Sequence, residues 1–136
     1  MTTIAAGFRA NRLTNCSSFW PKTTSAGPPP APAIMGNPDR PELGTRLENS
    51  FCRTDPDIAR DFARATFLSD NRSDLPSVGA RTLVLQCSED IIAPLSVGEY
   101  VHAALPRSQF RLLRATGHCP NLSAPDEVTA AIREFV

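Results

Sequence analysis

The chain has 136 residues, 14 basic and 14 acidic side chains, a net charge of zero and 41% hydrophobic residues. This length fits one domain of ordinary size, and no run of about 18 apolar residues indicates a membrane-spanning helix. The zero net charge gives no reason to expect a nucleic acid or a membrane surface as a partner. All 14 acidic residues nevertheless lie at or after Asp39, so the first 38 residues differ in character from the remainder.

The proline-rich end of the first segment, residues 1–33, predicts disordered, extended chain rather than helix. Residues 1–30 contain arginine, serine and threonine but no acidic residue, a composition that also fits an organellar transit peptide. A hydrophobic signal-peptide core is absent, which favours a cytoplasmic protein.

The four cysteines form no C-x-x-C pair, so no metal site is expected. In a reducing cytoplasm we expect them to be free and mostly buried thiols. No nucleotide-binding motif occurs either, and no cofactor is expected.

Two helices are predicted before residue 70. Glycine and proline over 36–41 predict a turn, and a short helix follows over 41–50. Asp55 and Pro56 are typical of an N-cap and a first helical position. The helix that they begin extends to about residue 67 and places apolar residues on one face, namely Ile58, Phe62 and Ala65.

The last third of the chain alternates strands and helices. Residues 82–85 form a continuous apolar run, typical of a strand buried on both faces of a parallel sheet, and a second short strand is predicted over 110–113. This order predicts an α/β fold with one edge of a parallel sheet. Because residues 1–80 show no strand pattern, the core of the sheet is expected to be incomplete.

Two helix starts in this region have capping signals. Ser96 with Glu99 forms a capping box before one helix, and Ser123 with Asp126 precedes the last helix. Both serines are therefore predicted to be N-caps.

An aspartate and a histidine each follow one of these two strands. Asp90 follows the first strand and His118 the second, on loops at the sheet edge where α/β proteins place active residues. An Asp can fix the tautomer of a His and stabilise its charged form, and the chain order Asp before His is that of α/β-hydrolases. The same pattern also fits a capping aspartate and a surface histidine. His102 is expected on an exposed helix face without a function.

The serine that such a pair would activate is missing from this sequence. A nucleophile elbow needs the pattern G-x-S-x-G, and none of the seven glycines is followed two residues later by serine. No His-Gly pair for an oxyanion loop precedes the Asp and His.

Four stretches closely resemble the RsbQ-type α/β-hydrolases, the group of the bacterial sigma-B stress regulator hydrolase, to which the plant strigolactone and karrikin receptors are related. They are IMGNPDRPEL (34–43), FCRTDP (51–56), LQCSED (85–90) and GHCPNLSAP (117–125). The resemblance implies a C-terminal part of the α/β-hydrolase fold, with Asp90 and His118 at the triad positions. It also implies that residues 34–75 are the remainder of a helical cap and that residues 76–136 are the last strands and helices of the core.

The resemblance implies a function for the complete relative and a limit for this chain. Complete relatives are Ser-His-Asp hydrolases of small ester or lactone-like molecules, and we expect this chain to be a truncated form that is inactive alone. Phe62, Phe67 and Leu68 are candidate residues of the hydrophobic ligand pocket. Packing of the cap helix on the core would equally account for these three side chains.

Two other functional classes remain open. One is a ligand-sensing regulator of a stress response, which would act through a phosphatase-type partner, and the other is a non-functional remnant.

Residues 1–33 match nothing in the family. Permissible codons for residues 1–30, however, read two bases later, encode a stretch that resembles the family's first cap segment. We therefore expect an altered reading frame there.

Overall fold

Residues 31–136 are described by the computed structural model of the chain. The helices and strands in this range are α1 (Ala31–Met35), α2 (Pro41–Phe51), α3 (Pro56–Leu68), a 3₁₀ helix (Arg72–Ser77), β1 (Thr82–Glu89), α4 (Leu95–Ala104), β2 (Ser108–Thr116), α5 (Pro120–Ser123) and α6 (Pro125–Phe135). The predictions for residues 1–30, whether disordered chain, transit peptide or altered reading frame, lie outside the described residues.

Strands β1 and β2 pair in parallel, with Thr82 opposite Ser108 and Cys87 opposite Leu113. The register shifts after Cys87, so that Glu89 faces Thr116. Helix α4 connects the two strands and packs against β1. The predicted α/β class is confirmed, and because parallel strands end at the same edge, the loops after Glu89 and Thr116 lie side by side.

The burial of β1 differs from the prediction. Residues 82–85 are only half-buried, whereas Cys87 and Leu113 farther along the strands are 3% and 2% exposed. Among the described residues β2 is the one strand beside β1, so the apolar run is not covered on both faces.

Helix α1 differs from the prediction, in which residues up to 33 are extended and the following residues form a turn. Pro32 is tolerated because the first turn of a helix has no use for its missing N–H. The helix buries Ile34 and Met35, which are 7% and 1% exposed and form a core cluster with Leu43 and Leu47 of α2. Burial of these two side chains thus favours helix where local composition favours loop.

Helices α2 and α3 agree with the prediction to within a residue or two. The carboxylate of Asp55 accepts hydrogen bonds from the backbone N–H groups of Asp57 and Ile58, at 2.9 and 3.4 Å. Asp55 is therefore the N-cap of α3, as predicted.

The two predicted serine caps are wrong. Helix α4 begins at Leu95 with Pro94 as its N-cap residue, so Ser96 lies inside the helix. Helix α6 has Ala124 as its N-cap residue, and Ser123 lies in α5, where its hydroxyl donates to the carbonyl of Cys119 at 3.4 Å. The entry to α4 is held at Ala93, whose N–H donates to Asp90 and whose carbonyl accepts from Gln86. Helix α6 follows α5 directly, with only Ala124 between them.

Two glycines allow the end of α1 to approach the loop after β2. Gly36 and Gly117 have φ values of +60° and +80°, a region that other residues adopt only at a cost. A Cβ on Gly36 would lie 2.8 Å from the Cα of Gly117, and a Cβ on Gly117 would overlap the carbonyl of Met35. We call this contact the glycine junction.

We expect Gly117→Ala to lower the free energy of unfolding by about 1–3 kcal/mol from backbone strain alone, with an additional cost from the overlap. Urea denaturation followed by circular dichroism measures the change. Gly79→Ala is the matched control, because a Cβ there meets no atom within 4 Å and should be neutral or slightly stabilising. Equal stability of the two variants would contradict the importance of the junction.

Candidate active site

Asp90 is fixed by the turn that follows β1. Its Oδ1 accepts hydrogen bonds from the backbone N–H groups of Ile92, at 2.8 Å, and Ala93, at 3.0 Å. A carboxylate that bonds its own following backbone in this way forms an Asx turn. The side chain is only 6% exposed. The second carboxylate oxygen, Oδ2, is therefore held in a buried and well-defined position.

Gln86 supports this turn from within β1. The residue is 5% exposed, and its Nε2 donates to the carbonyl of Ala93 at 2.9 Å and to that of Cys87 at 3.2 Å. Ala93 is thus bound through its N–H by Asp90 and through its carbonyl by Gln86. Gln86 could not be predicted as part of the site, since a single amide within an apolar strand has no local signal for this contact.

His118 is fixed through its backbone. The N–H of Gly117 donates to the carbonyl of Glu89 at 2.6 Å, and the N–H of His118 donates to the carbonyl of Ile34 at 2.8 Å. The imidazole Nδ1 lies 2.8 Å from Oδ2 of Asp90. The structure therefore brings together the two residues that the sequence singled out, with the His118 side chain 42% exposed beside the buried carboxylate.

The surroundings of Asp90 favour its ionised form. Burial raises the pKa of Asp90, but hydrogen bonds from Ala93, His118 and Ile92 outweigh burial and leave the pKa below its ordinary value. An ionised Oδ2 accepts the Nδ1 proton of His118, which leaves Nε2 as the nitrogen that can exchange a proton with a reacting group.

A largely apolar cavity of about 530 Å³ adjoins the histidine. Its wall includes His118 and Cys119 on one side and Ile58, Phe62 and Phe67 of α3 on the other. Two of the three predicted pocket residues, Phe62 and Phe67, therefore line the same cavity as His118. Leu68 at the end of α3 is 75% exposed and is not among the lining residues.

The cysteines near the site are poor nucleophiles. Burial, with Asp90 as the next contribution, raises the pKa of Cys87 to about 11 and also raises the pKa of Cys119. Both are free thiols, as predicted, and they remain protonated at neutral pH. Cys52 takes part in a disulfide, so the expectation of a free thiol was wrong there.

His102 lies away from this site and is half-buried rather than exposed as predicted. Its Nδ1 lies 2.7 Å from the hydroxyl of Ser108, and its ring packs near Phe110. These contacts give the side chain a structural role at the start of β2.

Within residues 31–136 no group of three or more His, Cys, Asp and Glu side chains is arranged to hold a metal ion. No helix in the same range is long and apolar enough to span a membrane.

We expect Asp90→Asn to reduce the acid sensitivity of folding. The pKa of Asp90 in the folded chain lies below its value of about 3.9 in the unfolded chain. At pH values between these two pKa values, the unfolded chain therefore binds more protons than the folded chain. The stabilisation by Asp90 is complete above the unfolded pKa and is lost as pH falls through the folded pKa. Urea unfolding should show a less stable variant at neutral pH and a narrowing difference below about pH 4.

Asp70→Asn is the control for this measurement. The carboxylate of Asp70 is paired with Arg72 on the exposed surface, where solvent screens the interaction, so the substitution should change stability little. A stability difference between wild type and Asp90→Asn that stays constant across the acid range would contradict the assignment.

The chain is similar to two plant esterases. It is 39% identical over 107 residues to a probable esterase of Oryza sativa subsp. japonica, a match that covers 78% of this chain and 40% of that protein. It is 33% identical over 104 residues to a strigolactone esterase of Arabidopsis thaliana, covering 76% of this chain and 39% of that protein. The chain thus spans about two fifths of the length of these relatives.

A solved structure shows the same likeness. A hydrolase from Oleispira antarctica superposes with a TM-score of 0.74 at 39% sequence identity, over 77% of this chain and 38% of that one. No protein-family model matches the chain. With the parallel strands and the helices described above, these similarities establish that the chain belongs to the α/β-hydrolase superfamily and has the architecture of a C-terminal part of that fold.

Proposed function

We propose that Asp90 and His118 are two members of a Ser-His-Asp hydrolase triad. His118 acts as general base and general acid, and Asp90 orients it. The 2.8 Å contact between Nδ1 of His118 and Oδ2 of Asp90 is the observation that supports this role most directly. With Nδ1 donating to Asp90, Nε2 takes the proton of a serine hydroxyl and returns it to the leaving group, while the carboxylate stabilises the intermediate imidazolium.

The proposed substrates are small hydrophobic esters or lactone-like molecules. The cavity beside His118, at about 530 Å³, falls within the range of about 300–1,000 Å³ that is typical of small-molecule sites. Its apolar wall, with Phe62 and Phe67, suits a hydrophobic ligand, and the relatives named as esterases support an ester. The assignment of Leu68 to the pocket stays a prediction.

We assign the chain to the RsbQ type within the superfamily because of the four sequence stretches over residues 34–125. In this assignment residues 34–75 are the remainder of a helical cap and residues 76–136 are the C-terminal part of the core. Contacts between the two parts support one functional unit, since Ile92 of the loop after β1 and Leu122 of α5 pack against the cluster around Ile34 and Leu47. Residues 1–33 lie outside the family pattern.

The triad needs a serine that this sequence does not contain in an elbow motif. Covalent hydrolysis requires an activated nucleophile, and the raised pKa values of Cys87 and Cys119 make a thiol substitute a poor one. We therefore propose that these 136 residues are inactive alone and that hydrolysis requires the remaining part of an α/β-hydrolase.

A regulatory role through a phosphatase-type partner, and a cytoplasmic location, stay predictions. Phe62 and Phe67 are 72% and 60% exposed, which leaves them accessible to a ligand or to a protein. The Asp90–His118 contact favours the hydrolase, because a pure binding module does not require a carboxylate-oriented histidine.

We expect the isolated chain to hydrolyse p-nitrophenyl acetate no faster than free imidazole at the same concentration, because without a serine nucleophile no triad-dependent acyl-enzyme forms. Release of p-nitrophenolate, measured for the wild type, for His118→Ala and for imidazole, tests this. Turnover by the wild type that far exceeds the imidazole rate and disappears in His118→Ala would contradict the proposed inactivity.

We expect activity when the chain completes a relative. In a chimera, residues 34–136 replace the matching part of the Oleispira antarctica hydrolase, which is 39% identical and supplies the remainder of its own chain. Asp90→Asn should lower kcat of the chimera by about 10⁴-fold, and His118→Ala by about 10⁶-fold, as loss of a triad histidine does elsewhere.

His102→Ala is the matched control, because this histidine is bound to Ser108 and lies outside the site. It should leave kcat/KM of the chimera nearly unchanged. A folded chimera whose activity survives His118→Ala would contradict the proposed function.

A further inference from the structure

Asn37 connects the end of α1 to the end of β2. Its Nδ2 donates to the carbonyl of Met35 at 2.5 Å and to the carbonyl of Thr116 at 3.3 Å. Its Oδ1 accepts a hydrogen bond from Nη2 of Arg40 at 2.5 Å. Both amide hydrogens and the amide oxygen are thus used, which fixes the side chain in one orientation.

The far end of this connection is two residues from His118. Thr116 is bound twice to the α1 side, since its carbonyl accepts from Asn37 and its hydroxyl donates to the carbonyl of Gly36 at 2.8 Å. The N–H of His118 then donates to the carbonyl of Ile34. Asn37 therefore acts on the same short loop whose position determines whether the imidazole meets Asp90.

We propose that Asn37 is a positioning residue for His118. By binding the carbonyl of Thr116, the amide of Asn37 fixes the direction in which the chain leaves β2 toward His118. This keeps Nδ1 of His118 within hydrogen-bond distance of Asp90. This proposal rests on the proposed function of His118. Asn37 does not contact the reacting atoms, so its effect is on geometry, where a displacement of about 1 Å can cost about 100-fold in rate.

The alternative is that Asn37 only stabilises the turn at residues 36–41. Asparagine is common in turns because it bonds nearby backbone groups, and its contacts with Met35 and Arg40 are of this local kind. A turn-stabilising role would lower the stability of the whole chain without changing the tautomer of one histidine, so the two roles have different signatures.

The tautomer of His118 in the full chain separates these roles. With ¹⁵N-labelled histidine, NMR should show wild-type His118 protonated at Nδ1 and unprotonated at Nε2 at mildly alkaline pH. In Asn37→Ala the His118 signals should shift toward a mixture of the two tautomers. His102 serves as an internal reference, since it is bound to Ser108 and its signals should not move.

Two further variants complete the experiment. Asn49→Ala, on the exposed surface of α2, is the matched control and should leave both histidines unchanged. Asn37→Asp is nearly isosteric and retains an acceptor for Arg40 but loses both donors, so it should reproduce the effect of Asn37→Ala if that variant does not fold. Wild-type His118 signals in a folded Asn37 variant would overturn the proposal.

The chimera provides a kinetic readout. Asn37→Ala should lower kcat by about 10–100-fold with KM nearly unchanged, because Asn37 does not line the ligand cavity. An inactive parent chimera would count against the proposed function alone, and the histidine spectra of the full chain would still decide the role of Asn37. An active chimera in which Asn37→Ala retains full kcat would overturn the positioning role.

Discussion

The close backbone contact between Gly36 and Gly117 is the constraint on which the rest of the site depends. Both residues adopt positive φ values, and neither has room for a side chain. At this approach the carbonyl of Ile34 accepts a hydrogen bond from the N–H of His118, and the carbonyl of Gly36 accepts one from the hydroxyl of Thr116. The position of the histidine is thus determined by a segment that lies far earlier in the chain.

The aspartate is positioned by different means. It follows β1 directly, and its turn is closed by its own carboxylate and by the amide of Gln86. The parallel pairing of β1 and β2 then places the two loops next to each other. The carboxylate of Asp90 is rigid, and the loop that carries His118 is fixed by long-range contacts. Together they give the arrangement expected of a general base, which is the physical basis of the proposed hydrolytic role.

The strands and helices α2 and α3 could be predicted because their signals are local, and the pairing of Asp90 with His118 followed from the rule that parallel strands end at the same edge of a sheet. An apolar run predicts a strand, and Asp55 before Pro56 predicts a helix start. The capping signals at Ser96 and Ser123 were misleading, because the two helices begin at Leu95 and Pro125 with neighbouring residues as their N-caps. Local signals also failed for α1, whose formation depends on burial of Ile34 and Met35 against α2. The partners of Asn37 and Gln86 could not be predicted, since nothing beside a residue in the sequence shows what it contacts far along the chain.

The segment at Ile34 fixes the loop that carries His118 through the glycine junction. Hydrogen exchange of the backbone amide of His118 in the full chain tests this constraint, since that N–H donates to the carbonyl of Ile34 at 2.8 Å. The contact predicts exchange well below the rate of an unstructured peptide, because the amide must be released from Ile34 before it exchanges. Exchange of the His118 amide at the unstructured rate, while amides within β1 and β2 remain protected, would show that the segment at Ile34 does not hold this loop.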